Sequence, residues 1–461
     1  MVFSSITFLF YFLPIVLIIY YIVPNKYKNI VLLISSLAFY FFGEPVYTLL
    51  MIFSIICTYI FGLLIDKYRD KSKLFLTIFI CITLGILIYF KYIDFIIENI
   101  NLWLNNKLDF IYVALPIGIS FYTFQMISYV VDVYRGEAKV QKNILKLATY
   151  VSLFPQLIAG PIVRYTTIEK QLEERDYSMQ KFALGVRRFI IGLGKKVLIA
   201  NVLGELVSVF LDTSDTSVLY YWLYGIANML QIYFDFSGYS DMAIGLGKMF
   251  GFEFLENFNY PYIATSITDF WRRWHISLSS WFRDYVYIPL GGNRVSKAKW
   301  IRNILIVWLL TGIWHGASWN FICWGLYFGI ILIVEKLFLQ KILDKLPKFL
   351  SRIYVLIIVM ISFIIFSGES FNQIGANLTG LIGMPNVPLI SAESIYYFKS
   401  YFVAILMGII GATPILKNIT KSDKIHKIVN LLEPIYLLII FVLSTSYIID
   451  GSFNPFLYFR F

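Results

Sequence analysis

Long apolar segments recur along the chain and are separated by short polar connections. A helix needs about 20 apolar residues to cross the hydrocarbon core of a bilayer, and a helix satisfies its own backbone hydrogen bonds there. The pattern therefore predicts an all-α, polytopic membrane protein with roughly 11 transmembrane helices. The apolar segments are residues 6–23, 30–42, 46–64, 74–91, 110–131, 197–212, 217–234, 303–334, 353–366, 400–412 and 431–448.

The composition argues against a separate soluble domain. Of the 461 residues, 59% are hydrophobic and only 15% are charged, and no polar stretch is long enough to enclose a core. We therefore expect one membrane domain over residues 1–461. Its expected parts are N-terminal spanning helices in 1–135, a core with re-entrant segments in 145–335, and C-terminal spanning helices in 336–461.

The net charge of +11 agrees with a membrane protein when the positions of the charges are considered. Basic residues cluster in the short connections 25–29, 66–73 and 135–143. This is the positive-inside pattern, which places these connections in the cytoplasm and the N-terminus outside. We expect a multi-pass protein of the cytoplasmic membrane whose surroundings are the lipid bilayer, and no binding of nucleic acid.

The middle of the chain departs from simple spanning helices. In "FPQLIAGPIVRY" (154–165), Pro155, Gly160 and Pro161 interrupt an apolar run. The segment fits either a buried re-entrant turn or a surface turn between short helices.

A second unusual segment, "YFDFSGYSDM" (233–242), places Asp235 and Asp241 beside apolar runs. Its serines and glycine predict a local turn, and Asp241 suits the cap of the following helix. Carboxylates at membrane depth are also candidates for a functional site.

His275 lies in a segment that predicts an amphipathic helix over 271–285. Aromatic and leucine side chains share one face, beside an edge with His275 and arginines. Such a helix is typical of a membrane interface. The arginines also suggest a basic entrance for a phosphorylated donor, because guanidinium groups bind phosphate well. The candidate donor-binding residues are Arg272, Arg273, Arg283 and Arg294.

His315 lies in "TGIWHGASWN" (311–320), within an apolar run. On one continuous helix, Thr311, His315 and Trp319 would share a face. A packed, hydrogen-bonded histidine is one interpretation. Because burial in lipid makes a polar side chain costly, we also expect a functional role: burial should lower its pKa and keep the imidazole neutral, as a proton acceptor requires.

Other kinds of site find little support in the sequence. Cys57, Cys81 and Cys323 lie in apolar runs without a CxxC partner, and the histidines show no HExxH spacing. No GxSxG motif is present. We therefore expect no metal site, no permanently bound cofactor and no serine nucleophile.

Five sequence blocks closely resemble the membrane-bound O-acyltransferase superfamily, and within it the alginate O-acetyltransferase branch. The resemblance extends over about residues 1–335 and, more loosely, over the rest of the chain. The blocks are "PIGISFYTFQMISYVVDVYRG" (116–136), "FPQLIAGPIVR" (154–164), "QIYFDFSGYSDMAIGLG" (231–247), "FWRRWHISLSSWFRDYVYIPLGGNR" (270–294) and "TGIWHGASWNFICWG" (311–325).

The resemblance implies a helical bundle around a central tunnel. It implies transfer of an acetyl group from a cytoplasmic thioester donor, acetyl-CoA, to an extracytoplasmic hydroxyl, directly or through a partner acetyltransferase of the SGNH type that acts on a polysaccharide. It also implies that His315 is the catalytic histidine and that His275 matches the second characteristic position. The residues expected near the tunnel are Thr311, Trp319, Asn320, Asp235 and Asp241.

Two alternatives remain open at this point. A D-alanyl transfer protein for teichoic acids resembles the same family and would use a protein-bound thioester. A proton-coupled transporter could use Asp235, Asp241, His275 and His315 as a relay, although the sequence shows no inverted repeat.

Overall fold

The computed structural model describes residues 1–104, 107–158, 160–213, 216–384, 386–451 and 456–457. The described residues are helical and contain no strand, which confirms the predicted all-α class. The helices are α1 Leu13–Ile22, α2 Lys28–Phe41, α3 Pro45–Lys67, α4 Ser72–Asn101, α5 Ile119–Arg135, α6 Ile144–Ser152, α7 Phe154–Leu157, α8 Tyr165–Glu173, α9 Met179–Gly194, α10 Val202–Asp212, α11 Val218–Met249, α12 Ile267–Arg273, α13 Ile276–Phe282, α14 Lys297–His315, α15 Trp319–Val334, α16 Gln340–Leu343, α17 Lys348–Ser367, α18 Phe371–Gly380, α19 Ala392–Gly411, α20 Ile415–Ile419 and α21 Asp423–Asp450.

Six helical segments of the described chain are long and apolar enough to cross a membrane. The predicted number of roughly 11 counts shorter and interrupted segments as well and stays a prediction. The six segments are Pro45–Lys67, Arg69–Asn101, Trp319–Leu343, Lys348–Ser367, Ala392–Gly411 and Lys427–Asp450.

The chain forms two compact units. One contains Met1–Phe189 and Ser240–Leu255, and the other contains Ile190–Tyr239 and Glu256–Phe461. Both histidines of interest lie in the second unit. The expected single membrane domain, with parts 1–135, 145–335 and 336–461, stays a prediction.

In the first unit, most of the described residues of the proline-containing segment 154–165 are buried. Helix α7 ends at Leu157 and α8 begins at Tyr165, and Phe154, Ile162 and Val163 are at most 3% exposed. Phe154 packs edge-on against Phe12 and Phe250, with ring centroids 5.4 and 5.6 Å away. The surface-turn interpretation is therefore wrong, because these apolar side chains need an interior environment.

In the second unit, the apolar run 303–334 is a helical hairpin and not one helix. Helix α14 ends at His315, the backbone is extended at Gly316 and Ser318, and α15 begins at Trp319. The expected shared face of Thr311, His315 and Trp319 is thus only half correct. Thr311 and His315 lie on α14, whereas Trp319 starts the next helix.

The two helices of this hairpin touch through glycines. A Cβ atom added at Gly325 would lie 2.3 Å from the carbonyl oxygen of Trp308, and one at Gly312 would lie 2.4 Å from that of Phe321. Any side chain would therefore push the backbones apart. This contact aligns the helix that carries His315 with the helix that carries Trp324.

We expect Gly325→Ala to destabilise the protein by about 1–3 kcal/mol, because the clash is with the backbone and no flexible side chain can yield. Thermal unfolding of the purified protein in detergent measures the effect. The matched control is Gly375→Ala in α18, where nothing lies within 4 Å. That change should be neutral or slightly stabilising, since alanine favours a helix. Equal melting temperatures for the two variants would contradict the close-contact account.

The predicted amphipathic helix over 271–285 is wrong in one respect, because it breaks at His275. Helix α12 ends at Arg273, and His275 adopts a left-handed backbone with φ 43° and ψ 54°. A neighbouring extended segment supplies the missing hydrogen bonds: the Asn259 amide donates to the carbonyl of Arg273 (2.9 Å), and the Ile276 amide donates to that of Asn257 (3.0 Å). A partner distant in sequence therefore overrides the helical periodicity.

The turn predicted at 237–240 is also wrong, because α11 runs without interruption from Val218 to Met249. Asp241 does not cap a helix and instead lies inside one. In the first unit its carboxylate is paired with Arg188, whose Nη2 lies 2.5 Å from Asp241 Oδ1. Within the second unit, a Cβ at Gly238 would lie 2.8 Å from the carbonyl oxygen of Gly192, so close helix packing favours the small residue.

Candidate active site

His315 lines a cavity of about 480 Å³ inside the second unit, here called the His315 cavity. The histidine itself is 6% exposed. Aromatic side chains form one part of the lining and polar side chains the other. The polar lining residues are Ser208, Asn228, Gln231, Asp235, Ser318, Asn320, Ser367 and Glu369.

Aromatic rings hold the His315 imidazole from three directions. Its ring centroid lies 4.8 Å from that of Trp324, 4.9 Å from that of Trp314 and 5.2 Å from that of Phe366. All three contacts are edge-to-face, which is a favourable arrangement of aromatic rings. The imidazole is thus fixed in orientation at the cavity wall.

Asp235 lies in the wall of the His315 cavity, and its carboxylate is buried in an ion pair. Asp235 and Lys196 are 2% and 3% exposed, and Lys196 Nζ lies 2.5 Å from Asp235 Oδ1. The second carboxylate oxygen accepts a hydrogen bond from the amide of Leu457 at 2.9 Å. The carboxylate at the cavity wall and the ammonium group beside it therefore compensate each other's charge.

Asn320 also lines the His315 cavity. Its side-chain NH2 group donates to the carbonyls of Phe366 (3.0 Å) and Gly368 (3.1 Å). The amide therefore joins the start of α15 to the end of α17 in the cavity wall.

A second cavity, of about 460 Å³, lies in the same unit and is here called the basic cavity. Three cations line it: Arg272, Arg283 and Lys336. Arg283 is also paired with Asp284 at 2.7 Å. Apolar and aromatic residues, including Trp271 and Trp308, form much of the remaining wall.

The two cavities approach each other along α14. Thr311 lines the basic cavity, and His315 lines the other. Four helical residues correspond to a rise of about 6 Å. Trp271 of the basic cavity also contacts Trp324 of the His315 cavity, with ring centroids 5.8 Å apart. The partition between the cavities is therefore about one helical turn thick at this point.

His275 belongs to this partition. Its chain neighbour Trp274 lines the His315 cavity, and Ile276 lines the basic cavity. The imidazole is 1% exposed and contacts the rings of Phe236 (4.6 Å) and Trp314 (5.9 Å). His275 lies outside the six candidate spans, and burial lowers its pKa to about 3. It is therefore neutral near pH 7.

Four residues expected near the site lie elsewhere. Arg273 forms an ion pair with Asp269 at 2.9 Å, and Arg294 is exposed; neither lines the basic cavity. Trp319 is 50% exposed and lines neither cavity. Asp241 lies in the first unit, paired with Arg188.

Sequence reasoning missed other lining residues of both cavities. Lys336 follows an apolar run, and a lysine at that position is typical of the end of a spanning helix. Asn228 and Gln231 are isolated amide side chains within α11. Their polarity in an apolar run is the one feature of the sequence that points to a cavity there. The side chain of the third histidine, His426 in the basic polar stretch 420–430, lies outside the described residues. In the described part of the chain, no group of three or more His, Cys, Asp or Glu residues is arranged to hold a metal ion.

Comparisons with known proteins identify the family of the chain. The sequence pattern of the membrane-bound O-acyltransferase family matches residues 137–376, which include both histidines. The chain is 37% identical to the probable alginate O-acetylase AlgI of Azotobacter vinelandii, over the full length of both chains. It is 34% identical to the peptidoglycan O-acetyltransferase of Helicobacter pylori, covering 84% of this chain and 81% of the relative.

A more distant relative is the teichoic acid D-alanyltransferase of Bacillus subtilis, which is 31% identical over 56% of this chain and 70% of the relative. The family match spans more than half of the chain, and the longer alignments with O-acetylating enzymes cover nearly all of it. Together with the apolar helices, these matches show that the chain belongs to the membrane-bound O-acyltransferase family and is a multi-pass membrane acyltransferase.

Proposed function

We propose that this protein is an O-acetyltransferase that moves an acetyl group from acetyl-CoA, bound from the cytoplasm, to a hydroxyl group on the other side of the cytoplasmic membrane. The observation that carries the proposal is that His315 and a basic cavity lie within about one helical turn of each other. Full-length similarity to probable alginate O-acetylases supports acetyl as the group transferred.

The basic cavity is the proposed donor site. Arg272 and Arg283 offer guanidinium groups to the phosphates of acetyl-CoA, and the aromatic wall accommodates the apolar arm that carries the thioester. The arm would reach the partition formed by Trp271, Trp324 and His275. Holding the thioester there, opposite the acceptor hydroxyl, supplies part of the rate enhancement through orientation alone.

His315 is the proposed general base. It removes the proton from the acceptor hydroxyl as the hydroxyl oxygen attacks the carbonyl carbon of the thioester. The C–O bond forms, the C–S bond breaks, and the thiolate of CoA leaves and takes up the proton that His315 accepted, which returns the imidazole to its neutral form. A neutral imidazole with a fixed orientation suits this step.

Nearby N–H groups are suited to stabilise the negative charge on the thioester oxygen. The indole N–H of Trp324, next to His315, has no hydrogen-bond partner among the described residues. His275 is neutral and carries one N–H group, which is suited to donate a hydrogen bond to the same oxygen. Such preorganised donors lower the barrier because they need no rearrangement during the reaction.

The His315 cavity is the proposed acceptor site. Its amides, hydroxyls and carboxylates suit an acceptor rich in hydroxyl groups, as a polysaccharide or its acetyl-carrying partner enzyme would present. We propose an extracytoplasmic SGNH-type acetyltransferase or the polysaccharide itself as the acceptor. The relatives that act on alginate and peptidoglycan support a cell-envelope polymer.

The two alternatives are weaker. The teichoic acid D-alanyltransferases of Bacillus subtilis and Streptococcus thermophilus match about half of the chain, whereas the probable alginate O-acetylase of Azotobacter vinelandii matches all of it. Of the four residues of a proton relay, Asp241 is paired with Arg188 in the first unit, and Asp235 is paired with Lys196.

The purified protein in detergent is expected to consume radiolabelled acetyl-CoA and form a hydroxylamine-sensitive O-acetyl ester when a hydroxyl acceptor is present. Acceptors to try are alginate oligomers and a purified acetyltransferase of the SGNH type. D-alanyl carrier protein charged with labelled alanine serves as the comparison donor.

Ester formation from acetyl-CoA is the result that the proposal predicts. Transfer from the D-alanyl carrier alone would contradict it and favour the rival donor. In sealed vesicles, label that crosses the membrane without forming an ester would favour transport.

A further inference from the structure

A fully buried carboxylate, Glu335, lies behind the wall of the basic cavity. It follows α15 and begins a π-helical turn, Glu335–Leu339. One oxygen accepts hydrogen bonds from the Ile267 amide (2.6 Å) and the Tyr354 hydroxyl (3.3 Å). The other accepts from the amide and the hydroxyl of Thr268, both at 2.9 Å. Four neutral donors thus satisfy a charge that would be costly to bury alone.

These bonds join the start of α12 to the end of α15. The first amides of a helix have no acceptor within the helix, and the Glu335 carboxylate takes that place for two of them. On one side of the junction, α12 carries Thr268 and Arg272 into the basic cavity. On the other side, Lys336 is the residue next to Glu335 and lines the same cavity. The carboxylate therefore ties the helix that carries Arg272 to the turn that carries Lys336.

Arg272 and Lys336 are both available to a ligand. Neither has an ion-pair partner among the described residues, and both line the cavity. They repel each other electrostatically, and Glu335 partly offsets this repulsion at Lys336. Because the Glu335 oxygens are occupied by neutral donors, the carboxylate balances charge without bonding to either cation.

We propose that Glu335 is a positioning residue that holds Arg272 and Lys336 together as a binding pair for the phosphate groups of the acyl donor. The proposal rests on the assignment of the basic cavity to acetyl-CoA. It adds Lys336 as a donor-binding residue and explains why a carboxylate is buried at a π-helical turn. Two separated cations and a fixed spacing suit a ligand with more than one phosphate group.

The test is Glu335→Gln in the full-length protein. Glutamine has the same size but only one accepting oxygen, so it cannot accept from both Thr268 and Ile267 as Glu335 does. We expect the KM for acetyl-CoA to rise about tenfold while kcat at saturating donor changes less than about twofold. Lys336→Met should raise the KM in the same way. Asp344→Asn, which removes an exposed carboxylate nearby, is the matched control and should leave both constants unchanged.

The outcomes separate this proposal from the proposed function. If the wild-type protein does not consume acetyl-CoA, the donor assignment is wrong and the role of Glu335 falls with it. If the wild type is active but Glu335→Gln lowers kcat and the melting temperature at an unchanged KM, Glu335 is only structural. If Glu335→Gln does not fold, the test uses Lys336→Met and the milder Thr268→Val instead. A KM for acetyl-CoA that is unchanged in both variants would overturn the proposal.

Discussion

Replacing Asp235 with alanine is expected to lower the free energy of unfolding by about 3–5 kcal/mol, because a buried ammonium group loses its carboxylate. Lys196 is only 3% exposed, and its Nζ lies 2.5 Å from the Asp235 carboxylate. The substitution also removes the acceptor of the Leu457 amide. Thermal and denaturant unfolding in detergent measure the loss.

The double variant Lys196→Met, Asp235→Leu distinguishes the effect of losing one charge on stability from the effect of losing side-chain volume. Removing both charges and keeping the volume should recover most of the lost stability, since an apolar pair of similar size pays no desolvation cost. The control is Asp284→Ala in the more exposed pair with Arg283, where the loss should stay below about 1 kcal/mol. A double variant no more stable than Asp235→Ala would contradict the account of the ion pair.

The sequence predicts the helical membrane class well, because spanning helices need long apolar runs and these are visible without a structure. The family resemblance singles out His315 and His275; His315 lines the His315 cavity and His275 is buried in the partition beside it, and their catalytic roles stay a prediction. Amphipathic periodicity also predicts that Arg272 and Arg283 share a surface, and both line the basic cavity. These features depend on residues close together in the chain.

The features that the sequence does not predict depend on distant partners. The helix break at His275 follows from hydrogen bonds to Asn257 and Asn259, which lie in a separate, earlier segment of the chain. The ion pair between Lys196 and Asp235 joins two helices whose relative position no local pattern reveals. Glu335 is similar, because a carboxylate at the end of a spanning helix resembles an ordinary solvated end until Thr268 is placed beside it.

Replacing His315 with alanine is expected to lower kcat for acetyl transfer by roughly 10²–10⁴-fold, the range for loss of a general base. The melting temperature should change little by comparison, because the imidazole lies at a cavity wall and its loss enlarges a space that already exists. Removal of the imidazole side chain also leaves a gap that free imidazole can enter. Added imidazole should therefore restore part of the activity, and restore more as its neutral form increases with pH.

The most direct test of the account is the rate of O-acetyl ester formation by purified His315→Ala protein reconstituted in vesicles, with acetyl-CoA at saturation. His426→Ala, at a histidine in the basic polar stretch 420–430, is the control for loss of a histidine. The account predicts that His315→Ala is folded but nearly inactive, that imidazole partly rescues it, and that His426→Ala behaves as the wild type. A folded His315→Ala protein that forms the ester at the wild-type rate would contradict the central role of His315.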